Sequence, residues 1–371
     1  GPAVAVSSTP AAAATASAPQ PASAGPIPAT STAGTASAAG SSPAPAMAEH
    51  DLTVVSWGGD YQKAQRLAFF EPFIQSTGTP LVEAEYNGTL DEVKAALKEG
   101  KTWDVVDLEF SDILKGCQDG TLERIDWSKI GDTADFMPTA VEDCGVGNIV
   151  WAYVMGYNPQ KLSRPPVSWA DLWDVGSLPG KRGLRKLAQW NLEIALMADG
   201  VPTKDVYKVL ATPEGVDRAF NKLDQLKKHI VWWEAGAQPP ELLASGEVVM
   251  STAYNGRITN AQKQGKDLKI LWTNVIYTLD YWGIVKGTPN RDKAHRFIAF
   301  ASQPESQKEF PKHIPYGPVN VKAISQVEPK LLPDLPTSPT NLRFALASSA
   351  DFWNKNGARL EARFKEWVAK P

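Results

Sequence analysis

The sequence predicts an α/β protein built as two lobes, and three observations predict it. Strand-like and helix-like stretches alternate from Leu52 onward. The first five elements read βαβαβ, which calls for a parallel sheet with right-handed crossovers. Two long strand-like runs, at about 148–157 and 276–286, bracket a middle block of roughly 120 residues. A block inserted between two crossover strands is the arrangement of a hinged, two-lobed protein. On this reading lobe 1 comprises 49–153 and 282–371, and lobe 2 comprises 154–281.

Residues 1–48 are almost wholly Ala, Ser, Pro, Thr and Gly, with no apolar periodicity to offset ordering entropy, and predict a disordered tail. "LTVVSW" then reads as a strand and "GDYQKAQRLAFFEPFIQSTG" as an amphipathic helix stopped by Gly. "PLVEAEY", "TLDEVKAALKEG" and "WDVVDLE" follow as strand, capped helix and strand. "NIVWAYVMGYN" is a long strand, followed by Pro-rich turns and "SWADLWD". In the middle block "GLRKLAQWNLEIALMADG" and "PEGVDRAFNKLDQLKKHI" read as helices, and "VWWEAG" breaks on Gly. "PPELLASGEVVMSTAYNG" is helix then strand. "LKILWTN" precedes the β-type run "YTLDYWGIVKG", and the final third is mainly helical.

Composition narrows the function classes. Hydrophobic content of 43% and charged content of 21% describe a soluble globular chain. A net charge of -3, with both signs scattered, argues against nucleic acid as partner. No apolar run reaches the roughly 18 residues of a bilayer span, so direct membrane insertion is not expected. No signal peptide is expected in a sequence that starts Gly-Pro without a basic start or an apolar core. The four His are far apart, and there is no nucleophile elbow, P-loop or G-x-G-x-x-G after a strand. Neither catalysis, a metal nor a cofactor is therefore expected. Cys117 and Cys144 have no metal spacing; they are either a disulfide closing about 27 residues or two buried thiols.

The binding candidates sit at predicted element ends. Trp57, Gly58 and Gly59 follow the first strand, at the edge of an open α/β sheet where ligands bind. The glycines would let a ligand approach bare backbone; a tight βα turn with a core Trp is the alternative. "VVMSTAYNGRI" ends a strand with Tyr254, Asn255, Gly256 and Arg257, and Arg offers a planar fork to a carboxylate. Asp280 lies among aromatics in "YTLDYW" and needs a partner: Arg257, a ligand ammonium, or exposure at a lobe edge. Glu109 either faces the crevice or caps the next helix. Tyr316, between prolines in "IPYGPVN", presents a phenol to a cleft or belongs to a surface turn. Trp151 and Trp190 fit a core as readily as a site.

Taken in order, "VVSWGGDYQ", "WDVVDLE", "SWADLWD", "GEVVMSTAYNGR", "YTLDYWGIVKGT" and "IPYGPVN" resemble the periplasmic substrate-binding proteins of ABC transporters. The similarity is to the putrescine/spermidine receptor family and its relatives for 4-aminobutyrate and small carboxylates, from about Leu52 to the C-terminus. It implies the type II two-lobed binding-protein fold, with the crossover strands as hinge. In that pattern the first-strand Trp falls on Trp57, with Tyr61 near the second aromatic; Trp-Asn-Gly falls on Tyr254-Asn255-Gly256, and the last Asp on Asp280. Two departures matter: Thr278 replaces an inward Trp, and a second-lobe Glu falls near Trp190. With Arg257 added, the resemblance implies a zwitterion such as 4-aminobutyrate, its carboxylate on Arg257 and its amine on Asp280. A polyamine such as putrescine or spermidine, or a small hydroxy- or dicarboxylate, is the alternative. The resemblance further implies a monomer in the periplasm, a membrane permease as partner, and the Cys117–Cys144 disulfide.

Overall fold

The computed structural model describes residues 47–371, so the expected tail, apart from its last two residues, lies outside the described residues. The chain opens with β1 (Leu52–Ser56) and α1 (Gly59–Gln65), which runs through a π-helical turn (Arg66–Phe70) into α2 (Glu71–Thr77). Then come β2 (Leu81–Glu85), α3 (Leu90–Lys98), β3 (Val105–Glu109), α4 (Phe110–Asp119) and β4 (Val146–Tyr157). The middle holds β5 (Arg182–Arg185), α5 (Asn191–Ala198), α6 (Val206–Leu210), α7 (Pro213–Leu226) and β6 (Ile230–Trp233). It continues with α8 (Gln238–Ser245), β7 (Met250–Tyr254), α9 (Asn255–Lys263) and β8 (Lys269–Ile284). The remainder is mostly helical and includes α10 (Arg291–Ser302) and a last helix over Ala350–Ala369.

These elements form two compact units. Unit 1 holds 47–149, Leu279–Ile314 and Pro318–Glu328; unit 2 holds Val150–Thr278, Pro315–Gly317 and Pro329–Pro371. The chain thus passes from one unit to the other within β4 and again within β8.

In unit 1, β1 lies between β2 and β3, parallel to both, as the βαβαβ pattern predicts. The end of β8 adds antiparallel to β3, with Asp107 opposite Trp282 and Glu109 opposite Asp280. β1 and most of β3 are buried on both faces, hence their nearly unbroken apolar sequence. Thr89 caps α3 by accepting from the Glu92 N–H at 3.2 Å, and α2 ends at Gly78 in the left-handed region. Phe69, Phe70, Phe73, Trp282, Phe297 and Phe310 interlock at ring separations of 5.3–6.4 Å. Each such buried ring contributes about 2–3 kcal/mol by removal from water.

Cys117 and Cys144 are disulfide-bonded, Cα–Cα 5.5 Å, tying α4 to the start of β4. Both read as turn residues in sequence, but Cys117 is helical.

Unit 2 orders its strands β4–β7–β5–β6, with β5 parallel to both neighbours and β4 antiparallel to β7. Here the structure corrects the helical reading of "GLRKLAQWNLEIALMADG". Its first residues belong to β5, and the helix starts only at Asn191. Gly183 has a tertiary reason: a Cβ there would meet Ser251 Oγ at 2.2 Å. "LKILWTN" and "YTLDYWGIVKG" are one strand, β8, passing through Asn274 at φ 55. Residues 329–371 group with unit 2, whereas the sequence reading put them in lobe 1. The contacts explain it: Trp367 packs on Trp232 and Phe220, and Trp353 Nε1 donates to Glu193 at 2.7 Å.

Candidate functional site

At the carboxyl end of β1, Gly58 and Gly59 both have positive φ (75 and 58), conformations that favour glycine. The Gly58 N–H is already satisfied by Gln62 Oε1 at 2.9 Å, so the expected bare donor at this position is occupied. Trp57, 9% exposed, is pinned by Nε1 donating to the Asp107 carbonyl at 2.8 Å. Gly88 makes room for the indole, since a Cβ there would meet the ring at 2.5 Å.

The residue that organises this end of unit 1 is Asp107, which sequence reasoning missed. It is fully buried, and its Oδ2 accepts from Tyr61 Oη (2.5 Å), Gln65 Nε2 (2.8 Å) and Asn148 Nδ2 (3.0 Å). The Tyr86 hydroxyl donates to its carbonyl. Burial raises the Asp107 pKa above the ordinary carboxyl value, opposed by hydrogen bonds from Asp280, Tyr61, Gln65 and Asn148. Tyr61 is therefore a buried ligand of this acid, its ring 6.2 Å from Phe310. Glu109 takes the N-cap position of α4 without capping it. The strand register puts its side chain on one sheet face with Asp107 and Asp280. Asp280 is fully buried.

Unit 2 presents the opposite charge. Arg185 ends β5, 2% exposed, at the carboxyl edge of parallel strands. Its guanidinium carbon lies 5.8 Å from the Tyr254 ring centre and 6.0 Å from that of Trp190, within cation–π range. Nη1 is buried without a hydrogen-bond partner among the described residues. Asn191 secures the turn after β5, its Nδ2 donating to the Arg185 and Leu187 carbonyls at 2.6 and 2.8 Å. Sequence reasoning missed Arg185 because it took the segment for helix; Arg at the end of a short strand was the available signal.

Trp190 is the N-cap of α5 with φ 72, a left-handed conformation costing about 1–3 kcal/mol for a bulky residue. Several contacts hold it: its N–H donates to Glu193 (2.8 Å), its indole N–H donates to Ser348 (2.9 Å), and its ring packs on Trp151 and Tyr153. Glu193 is fully buried and also accepts from Tyr207 Oη (2.7 Å); burial raises its pKa to about 7. Tyr254 packs among Trp151, Tyr153 and Trp233 at the end of β7.

Arg257 sits half-buried in the first turn of α9, its Nε without a partner, and burial lowers its pKa against the opposing pull of Tyr316 and Tyr254. Neither Arg185 nor Arg257 forms an ion pair among the described residues. Asn255 is structural: Oδ1 accepts from the Ala152 N–H (3.0 Å) and Nδ2 donates to the Pro315 carbonyl (2.9 Å). That bond and the Val150–Gly317 pairing lock the loop bearing Tyr316. No group of His, Cys, Asp and Glu among the described residues could hold a metal.

The end of β5 in unit 2 is aromatic and cationic, and the end of β3 in unit 1 carries carboxyls. The family model for bacterial extracellular solute-binding proteins matches residues 68–337. A gamma-aminobutyric acid-binding protein of Pseudomonas aeruginosa is 53% identical over 320 residues, covering 86% of this chain and 91% of that protein. An ABC transporter substrate-binding protein from Bradyrhizobium japonicum superposes with TM-score 0.78 at 35% identity, covering 86% of this chain and 99% of its own. A GABA receptor structure does so with TM-score 0.75 at 34% identity, covering 87% and 98%. The similarity to periplasmic binding proteins inferred from short motifs thus extends along nearly all the described residues, and the chain belongs to the bacterial extracellular solute-binding proteins, which are receptors and not enzymes.

Proposed function

We propose that this receptor captures 4-aminobutyrate in the periplasm, as a monomer, and delivers it to the membrane permease of an ABC importer. The observation that carries this reading is Arg185. A buried guanidinium bordered by two aromatic rings, with an unused N–H, is completed by a carboxylate. Asp280 and Glu109 suit an ammonium, with Trp57 as an apolar wall beside them. The names of the relatives support the same solute. No helix of the described residues is long and apolar enough to cross a membrane, consistent with delivery to a separate permease.

The carboxyl-bearing end of β3 favours a second reading, a polyamine, which Arg185 and Arg257 oppose by repulsion. Titration calorimetry separates the two. Tight binding of 4-aminobutyrate with weak putrescine and malate supports the first reading; preference for putrescine establishes the second, and preference for malate defeats both.

A further inference from the structure

We propose that Asp107 and Asp280 hold one proton between them in the empty receptor, and that an arriving ammonium group displaces it into solvent. This inference rests on the amine end of the proposed solute meeting unit 1. The geometry starts from the register of β3 and β8, which makes Asp107 and Asp280 diagonal neighbours on one sheet face. Oδ2 of Asp107 is saturated by Tyr61, Gln65 and Asn148. Its Oδ1 is buried and receives no N–H or hydroxyl donor. On the same sheet face the diagonal neighbour of this acid is the Asp280 carboxyl, which opposes the rise that burial imposes on the Asp107 pKa. Two ionised carboxylates only accept, so a hydrogen bond joins them only while one carries a proton.

The surroundings favour keeping it. No ion pair among the described residues reaches Asp107, and both acids are fully buried. Besides Asp280, the ionisable groups of unit 1 that bear on this cluster are Tyr61 on α1, Tyr86 after β2, Glu92 on α3, Glu109 on β3 and Asp112 on α4. All are acids, and any charge they carry disfavours a second negative charge on the pair. Lys115 and Lys94 act on Asp112 and lower its pKa, which burial nonetheless raises to about 6.

An ammonium at hydrogen-bond distance reverses the balance. A cation that close lowers a carboxyl's proton affinity about a hundredfold. The protonated pair plus the ammonium then becomes the doubly ionised pair holding the ammonium, with one proton passed to buffer; charge is conserved and no covalent bond of the ligand changes.

The test is calorimetry of 4-aminobutyrate at pH 7 in phosphate, HEPES and Tris, whose ionisation heats differ. The expected observed heat varies linearly with buffer ionisation heat, with a slope near one proton released. Asp107→Asn should abolish the slope, because its amide N–H replaces the shared proton in the bond to Asp280 while its oxygen still accepts the three donors. A flat response from the wild-type protein overturns the proposal. Absence of any 4-aminobutyrate binding defeats the functional reading instead. The proton is then sought in the empty protein by infrared difference spectroscopy between pH 6 and pH 9. A protonated-carboxyl band lost in both Asp107→Asn and Asp280→Asn supports the pair, and no such band overturns it.

Discussion

The two units prepare opposite charges by opposite means. In unit 1 the acid at the strand end is immersed in hydrogen-bond donors, Tyr61, Gln65 and Asn148, and presses on a second acid. In unit 2 the buried guanidinium of Arg185 is bordered by rings, with a donor unused and no ion pair among the described residues, although Glu361 feels its charge. A carboxylate can be kept buried because backbone and amide donors are plentiful and a proton is available. A guanidinium has no such escape, since it does not deprotonate in proteins. The aromatic frame borders Arg185, and the Glu361 carboxyl nearby is held by the Ala188 and Gln189 N–H groups. On the proposed reading, the unused N–H of Arg185 is the group whose satisfaction depends on a ligand.

The units also differ in how they are held, and the largest expected effect lies there. Unit 1 carries the disulfide and unit 2 has none. Cys117→Ser with Cys144→Ser should lower the unfolding free energy by about 3–4 kcal/mol, from the entropy regained by an open loop. Urea titration checks it, and 4-aminobutyrate affinity of the folded protein should stay within twofold. Next comes Arg185→Met, which removes the guanidinium while keeping bulk against Trp190 and Tyr254. The affinity for 4-aminobutyrate should fall by about 3 kcal/mol, roughly a hundred- to two-hundredfold, as for a desolvated charge pair losing one member. Calorimetry measures it, and a change below fivefold would move the carboxylate away from β5.

How far the sequence alone reveals this contrast depends on what each feature rests on. The alternation of unit 1 is local: β1, α1 and β3 follow from apolar periodicity, a stop at Gly78 and a Thr89 cap. Trp57, Tyr254, Arg257 and Asp280 stand out as candidates in the sequence because each ends or interrupts an apolar run. Arg185 was not, because "KRGLRK" has helical composition and becomes a strand only through pairing with β6 and β7. Asp107 was hidden differently. Its strand was recognised, but an acid one turn of the pleat before Glu109 gains its meaning from donors 42 and 46 positions away. The grouping of 329–371 with unit 2 rests on Trp353 and Trp367 finding partners far back in the chain, which chain order cannot disclose.

On the acidic side the informative variant is Asp280→Asn. It keeps shape and hydrogen bonding but removes the charge meant for the amine. A loss of about 2 kcal/mol, near thirtyfold, is expected for 4-aminobutyrate, measured by calorimetry at pH 7. That is smaller than for Arg185, because Glu109 opposite it remains as a second acid. Equal losses at both sites would erase the asymmetry between the units.

The smallest effect belongs to Arg257, and its size follows from position. Unlike Arg185 it is only half-buried, so water shares the work of solvating its charge in the empty receptor. Its Nε still lacks a partner and burial still lowers its pKa, so an anion nearby is favourable. The first turn of α9 adds unpaired backbone N–H groups of the same sign, which would hold part of the interaction after truncation. Arg257→Ala should therefore weaken 4-aminobutyrate by about 1 kcal/mol, five- to tenfold, with Arg257→Lys recovering part of it. A response within twofold would remove Arg257 from the carboxylate and leave Arg185 as its sole anchor. Putrescine gives the opposite control: losing a repelling cation should leave its affinity unchanged or improved, so weakening of both ligands alike would indicate damage to the fold of α9.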